Sequence, residues 1–168
     1  PASAANMYNV AVGHGSGSNI TTGVQNIHVG GLAGLFATTT DGSTFVGAEA
    51  GQGITGTKLT GNNNTAVGIK AGLSLQGGAA QNVLIGAQAG DAMTTGSENI
   101  LIGMRAGSHN ISLQTGGNNI LLGSYIDVPA VDTDNAIVYE VFLDGIAEVN
   151  RRLKEFNEPK KTKIKLPK

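Results

Sequence analysis

A short phrase recurs along most of this chain, and its spacing constrains the fold more than any other feature. The clearest copies are "NVLIGAQAG" and "NILIGMRAG", in which asparagine, three apolar residues and glycine are followed by an Ala-Gly pair. Seven glycines close such apolar runs at intervals of 17, 17, 21, 18, 17 and 20 residues: Gly13, Gly30, Gly47, Gly68, Gly86, Gly103 and Gly123. A period of this length predicts a stack of similar small units.

Each copy is expected to form one short strand between two tight corners. The β-branched and aliphatic residues favour the strand, and the glycines supply turn conformations with positive φ. Such a strand is unstable alone, whereas stacked copies pair with one another and bury a continuous core. With a rise of about 4.8 Å per coil, seven copies would make a rod roughly 34 Å long.

The residue before each strand is asparagine in six of the seven copies. These residues are Asn9, Asn26, Asn64, Asn82, Asn99 and Asn119, with Ser43 in the third copy. Stacked coils would align the amides into a ladder of hydrogen bonds. The alternative is that asparagine merely favours the turn that precedes the strand.

Both faces of the strands are apolar. The first and third positions share one face, and the middle position, which faces the other way, is Ala11, His28, Phe45, Ala66, Leu84, Leu101 and Leu121. A strand that is apolar on both faces is expected to be covered on both, and a single solenoid has only one interior. Further copies of the chain, arranged cyclically, are the simplest cover. We place Leu84, Leu101 and Leu121 at this contact between chains.

Composition excludes several classes of function. The chain contains 26 glycines and only 4% aromatic residues. It has no cysteine, which excludes disulfides and thiolate metal sites. Its net charge of -1 gives no reason to expect nucleic acid as a partner. Apolar runs are too short for membrane insertion. His14, His28 and His109 occupy unrelated places in the repeat, and the acidic residues form no matched pairs. We therefore expect no enzyme, no catalytic residue, no metal and no cofactor.

The repeats resemble those of a known class of protein. "NTAVGIKAG", "NVLIGAQAG", "NILIGMRAG" and the closing "GGNNILLGSYIDVPA" are similar to the repeats of bacteriophage tail-fibre and tail-spike proteins, and more distantly to the β-roll heads of trimeric autotransporter adhesins. The resemblance covers residues 6 to about 131. It implies an all-β solenoid or β-roll rod, built as an intertwined or side-by-side homotrimer.

The same resemblance implies a location and partners. The chain would belong to a virion and attach it to a host, with a host cell-surface glycan or protein and a neighbouring fibre or baseplate protein as partners. Two alternatives remain: the head of a trimeric adhesin on a bacterial surface, and a spacer without a receptor site of its own.

The charges divide the chain into segments. Residues 1–126 contain the repeats, 127–143 a connecting strand segment, 144–157 a predicted α-helix and 158–168 a basic flexible tail. Ile146, Val149, Leu153 and Phe156 recur at the spacing of a coiled coil. The helix is expected either to join three chains or to fold back on its own chain. The tail is either simply solvated or docks onto an acidic surface.

Two connections between coils are longer than the others, at residues 52–63 and 108–118. Because stacking fixes the strands and corners, the extra residues must bulge from the rod, where binding contacts commonly lie. Thr57, Lys58, His109 and Asn110 offer groups suited to a glycan, so we predict receptor contacts there. The alternative is that both loops are passive.

Overall fold

The repeats form a parallel β-solenoid of about seven turns. The computed structural model describes residues 8–108, 114–128 and 134–139. Within these ranges eight three-residue strands form one sheet in sequence order, and there is no α-helix. The strands are β1 (Val10–Val12), β2 (Ile27–Val29), β3 (Thr44–Val46), β4 (Thr65–Val67), β5 (Val83–Ile85), β6 (Ile100–Ile102), β7 (Ile120–Leu122) and β8 (Ile137–Tyr139). The predicted all-β solenoid is confirmed, and the predicted helix at 144–157 lies outside the described residues.

All strands pair in parallel and in the same register. Each strand residue lies opposite the residue at the same repeat position in the next coil, as Leu84 lies opposite Leu101 and Leu101 opposite Leu121. The unequal spacings therefore do not shift the register, and the additional residues are accommodated in the connections. Strand β8 pairs with β7, so the sheet continues beyond residue 126, while the division of the chain at that point stays a prediction.

The middle side chains of β2 to β7 point into the coil and are fully buried: His28, Phe45, Ala66, Leu84, Leu101 and Leu121. The alanines of the Ala-Gly corners and a third column that includes Leu59, Leu75 and Met93 complete the core. The small alanines allow the walls of each coil to approach closely, which explains how a chain with so few aromatic residues fills its interior.

Our placement of Leu84, Leu101 and Leu121 between chains is therefore wrong. These leucines are buried within their own chain, and the first and third strand positions face outward. The reason lies in the asparagines, which are buried immediately before five of the strands, those of Leu84, Leu101 and Leu121 among them. Since side chains alternate along a strand, the residue two positions after a buried asparagine must also point inward.

The glycine that closes each strand is required by the stacking. Gly68 has a φ of +133°, and an added Cβ would lie 2.5 Å from the carbonyl oxygen of Gly86 in the next coil. An L-residue is strained at this φ, and a side chain would force neighbouring coils apart. The repeated glycines are thus required for the close approach of the backbones of neighbouring coils.

Candidate functional site

The asparagines form a buried ladder that runs through the described coils. The Oδ1 of each accepts a hydrogen bond from the backbone N–H at the same position one coil later, as in Asn82 to Asn99 and Asn99 to Asn119, both 3.0 Å. In the third coil Ser43 replaces the asparagine, and its Oγ accepts a hydrogen bond from the backbone N–H of Asn64 at 3.2 Å. The ladder ends on the backbone N–H of Ala136. It therefore includes the coil that contains β8.

The side-chain amide nitrogens of the ladder donate hydrogen bonds to a second point of the next coil, a backbone carbonyl three residues before the ladder position. The Nδ2 of Asn82 donates to the carbonyl of Gly96 at 2.9 Å, and Asn99 donates in the same way to Gly116. Direct amide-to-amide bonds occur at three steps, from Asn82 to Asn64, Asn99 to Asn82 and Asn119 to Asn99. Most of the bonding is thus between side chain and backbone, and each of the five asparagines before Asn119 holds two points of the next coil.

A second polar ladder lies two residues before the position that the first ladder occupies in each coil. Here the side-chain oxygen of one coil accepts from the backbone N–H of the coil before it, as Asp41 does from Val24 at 2.8 Å and Asn62 from Asp41 at 2.8 Å. Ser97 accepts from Ala80 and Asp134 from Gly117 in the same manner. Our sequence reasoning missed this ladder. Its signal is an Asp, Asn or Ser two residues before the ladder position in four coils.

His28 lies inside the solenoid without a hydrogen-bond partner. Its ring stacks on Phe45 with centroids 5.0 Å apart and an interplanar angle of 11°. Neither ring nitrogen has a partner among the described residues. Burial removes the imidazole from water and lowers its pKa from 6.5 to about 4, so the ring is neutral near pH 7. It acts there as a flat apolar filler of the core.

The outward side chains of the strands form a continuous apolar surface, which we call the outward stripe. Its members in the described residues are Val10, Val12, Ile27, Val29, Thr44, Val46, Thr65, Val67, Val83, Ile85, Ile100, Ile102, Ile120, Leu122 and Ile137. None of them is charged, and nine are exposed by between 36% and 68%. Exposed apolar surface also continues past the closing glycine, at Ile69 and Met104.

The longer connection of the third coil contains a protruding turn. Residues 54–58 are all exposed, and Ile54 and Thr57 form an isolated antiparallel bridge that closes the turn. Leu59 then returns to the core, where it is fully buried and bridges Ala37 on one side and Gly77 on the other. The inserted residues thus leave the stacking of the coils unchanged.

The predicted receptor residues divide into two groups. Thr57 and Lys58 lie exposed on the protruding turn. His109 and Asn110 lie outside the described residues, so the structure does not bring the two pairs together. Their role in binding stays a prediction.

Charged side chains pair between coils on another part of the surface. Lys70 lies 3.8 Å from Glu49 of the coil before it, and Arg105 donates to Gln88 at 3.0 Å. The Arg105 guanidinium also lies 5.8 Å from the centre of the Tyr125 ring. These exposed contacts follow the repeat and do not converge on a common point. They are best explained as weak contacts between neighbouring coils.

Comparisons with known proteins add no family. Within the described residues, no three His, Cys, Asp or Glu side chains are grouped so that they could hold a metal ion. In the same ranges there is no helix with the length and hydropathy of a membrane span. The chain matches no protein-family model, no curated protein and no solved structure.

Proposed function

We propose that this chain is a structural and host-attachment segment of a virion tail fibre or spike, which forms a homotrimeric rod and recognises a receptor on a bacterial surface. The supporting observation is the protruding turn at residues 54–58, set on a scaffold whose coils are joined by the asparagine ladder and, at four steps, by a second polar ladder. In stacked-repeat proteins, residues inserted into one repeat commonly form the binding surface.

The chemistry of the turn suits a carbohydrate or an acidic group. Lys58 supplies an ammonium group and Thr57 a hydroxyl, and both are exposed. A rigid scaffold lowers the entropic cost of binding because the groups around the turn are already in place. The turn also combines polar groups with the partly exposed apolar side chain of Ile54, as sugar recognition often requires both kinds of contact.

The bridge between Ile54 and Thr57 suggests how to test the proposal without disturbing the rod. Deleting residues 54–57 shortens the third repeat interval from 21 to 17 residues, which is the interval of the first two. The bridge between Ile54 and Thr57 brings the flanking residues Gly53 and Lys58 near each other, and the deletion joins these two directly. This deletion would be combined with Lys58→Ala, and His109→Ala with Asn110→Ala would be tested separately. Lys70→Ala is the matched control, since it removes a lysine from a different part of the surface.

Attachment of the labelled protein to a panel of bacterial strains is the measurement. We expect at least one strain to bind the parent chain and Lys70→Ala equally, and the turn deletion to bind at least tenfold more weakly. Circular dichroism must show that the deletion variant keeps its β-structure. Equal attachment by the deletion and loop variants would refute the receptor site. Failure of the parent chain to attach to any strain would favour the spacer alternative.

A further inference from the structure

The buried polar atoms that lack a hydrogen bond lie towards one end of the solenoid. Counted from one ladder position to the next, the first three coils are residues 9–25, 26–42 and 43–63. Among the described residues the atoms without a partner are both ring nitrogens of His28 and the Oγ1 of Thr40, all in the second coil. A buried polar group without a partner lowers the stability of the state that buries it. This end of the solenoid is thus destabilised relative to the coils that follow.

No titratable side chain faces the His28 ring from the coils packed against it. An added Cβ at Gly17 in the first coil or at Gly34 in the second would lie 2.8 or 2.6 Å from the ring, and Phe45 of the third coil stacks on it. The described titratable side chains in this part of the chain are all exposed or half-buried at the surface: Tyr8, His14, Asp41, Glu49 and Lys58. A proton taken up in the closed coils would therefore leave a buried imidazolium with neither a counter-charge nor an acceptor.

The asparagine ladder is weakest at the step from the third coil to the fourth. Ser43 makes one bond there, accepting from the backbone N–H of Asn64 at 3.2 Å. The carbonyl of Gly61, which an asparagine amide at the serine position would reach, accepts instead from Asn64 at 3.3 Å. The two preceding steps have two ladder bonds each and the three following steps have three each. The second ladder adds one bond at this step and one at the step before it, so the difference remains.

The first three coils also lie where the stack can open. Strand β1 is the first strand of the sheet, and all three of its residues are exposed. In stacked-repeat proteins each unit contacts only its neighbours, so terminal units can open while the others stay folded. Because His28 stacks on Phe45, an opening that hydrates the His28 ring also uncovers the third coil. The weak step at Ser43 then limits how far the opening extends.

We infer that the first three coils, residues 9–63, form an acid-released end of the solenoid, which opens as a unit when His28 takes up a proton while the coils from Asn64 onward stay folded. The neutral ring fits the closed coils, and the charged ring requires water. The pKa of the ring falls from 6.5 to about 4 in the closed coils, so acid favours the open end. Between pH 7.5 and pH 5 the open population should rise about 30-fold. This inference does not depend on the proposed function.

Hydrogen exchange of the full chain tests the inference at two equivalent amides. Gly34 and Gly90 occupy the same corner position, and each donates to the alanine carbonyl of the next coil at 2.9 Å. After correction for the intrinsic effect of pH on exchange, protection at Gly34 should fall about 30-fold from pH 7.5 to pH 5. Protection at Gly90 should change less than about threefold. An equal fall at both amides would mean that the whole chain opens together, and no fall at Gly34 would mean that protonation does not open this end; either result overturns the inference.

Two variants separate the parts of the inference. His28→Leu introduces the residue that occupies the same position in three later coils, and protection at Gly34 should then vary less than about threefold with pH. A fall as large as that of the parent chain would assign the opening to another group. Ser43→Asn supplies the missing donor to Gly61, so it should raise protection at Gly34 about fivefold at both pH values. No rise would place the limit of the opening elsewhere and overturn the three-coil unit. The parent chain and Ser43→Asn decide the question even if His28→Leu does not fold.

Discussion

Replacing Asn82 by alanine should cost a large part of the stability of the fold. Its Oδ1 accepts the backbone N–H of Asn99 at 3.0 Å, and its Nδ2 donates to the carbonyl of Gly96 at 2.9 Å. Both of these groups are buried, and alanine satisfies neither. An unsatisfied buried polar group costs about 1–3 kcal/mol, so two predict a loss of about 2–6 kcal/mol. Typical domains have only about 5–15 kcal/mol in total.

The matched variant is Asn82→Ser, because serine already occupies one position of the ladder. The Oγ of Ser43 accepts from the backbone N–H of Asn64 at 3.2 Å. Serine at position 82 should therefore keep the bond to Asn99 and lose the one to Gly96. We expect it to cost about half as much as alanine.

The free energy of unfolding would be measured by urea denaturation at one fixed protein concentration, with hydrogen exchange of the Asn99 amide as a local readout. Alanine should speed this exchange far more than serine does. If Asn82→Ala unfolds within about 0.5 kcal/mol of the parent chain, the range of a neutral surface substitution, the asparagines do not hold the coils together.

Three further substitutions test separate parts of the account. Gly68→Ala should destabilise the fold by about 3 kcal/mol or more, through strain at positive φ and contact with the next coil. The control is Gly78→Ala, which should change the midpoint of denaturation little because an added Cβ there meets nothing within 4 Å. Equal effects of the two substitutions would contradict the stacking argument. His28 takes up a proton near pH 6.5 when unfolded but only near pH 4 when folded, so acid favours unfolding. Stability should therefore fall from pH 7 towards pH 4 by up to about 3 kcal/mol. In a pH series of thermal melts, His28→Leu should lack this fall. If His28→Leu has the same pH profile as the parent chain, the ring is not a buried neutral base. Gln81 has a φ of +59°, which asparagine tolerates better, so Gln81→Asn should raise stability by on the order of 1 kcal/mol; a lower melting temperature would argue against strain at this residue.

The period and the glycines made the solenoid predictable from the sequence. Glycine, asparagine and Ala-Gly recur in register because stacking constrains the positions that they occupy, most strictly at the closing glycines, as the close approach of Gly68 to Gly86 shows. The direction of the side chains was harder to predict. Apolar residues such as Leu101 and Ile102 fit either face, and only the burial of Asn99 determines which of them points inward.

The loops and the second ladder were less visible in the sequence. Asp41, Asn62 and Ser97 differ in type but supply the same acceptor oxygen, so a search for identical residues overlooks them. Length alone revealed the connection at residues 52–63. It did not reveal that the chain returns to the core at Leu59 after a closed turn, because that depends on bridges to residues far away in sequence.

The central claim is that the chain forms a solenoid and that, as we propose, three such chains assemble into one fibre segment. Sedimentation equilibrium of the full chain at micromolar concentration tests it most directly, because the mass so obtained does not depend on the elongated shape. The account predicts a single species of three chain masses that persists on tenfold dilution. A species of one chain mass that keeps its β-structure would contradict it.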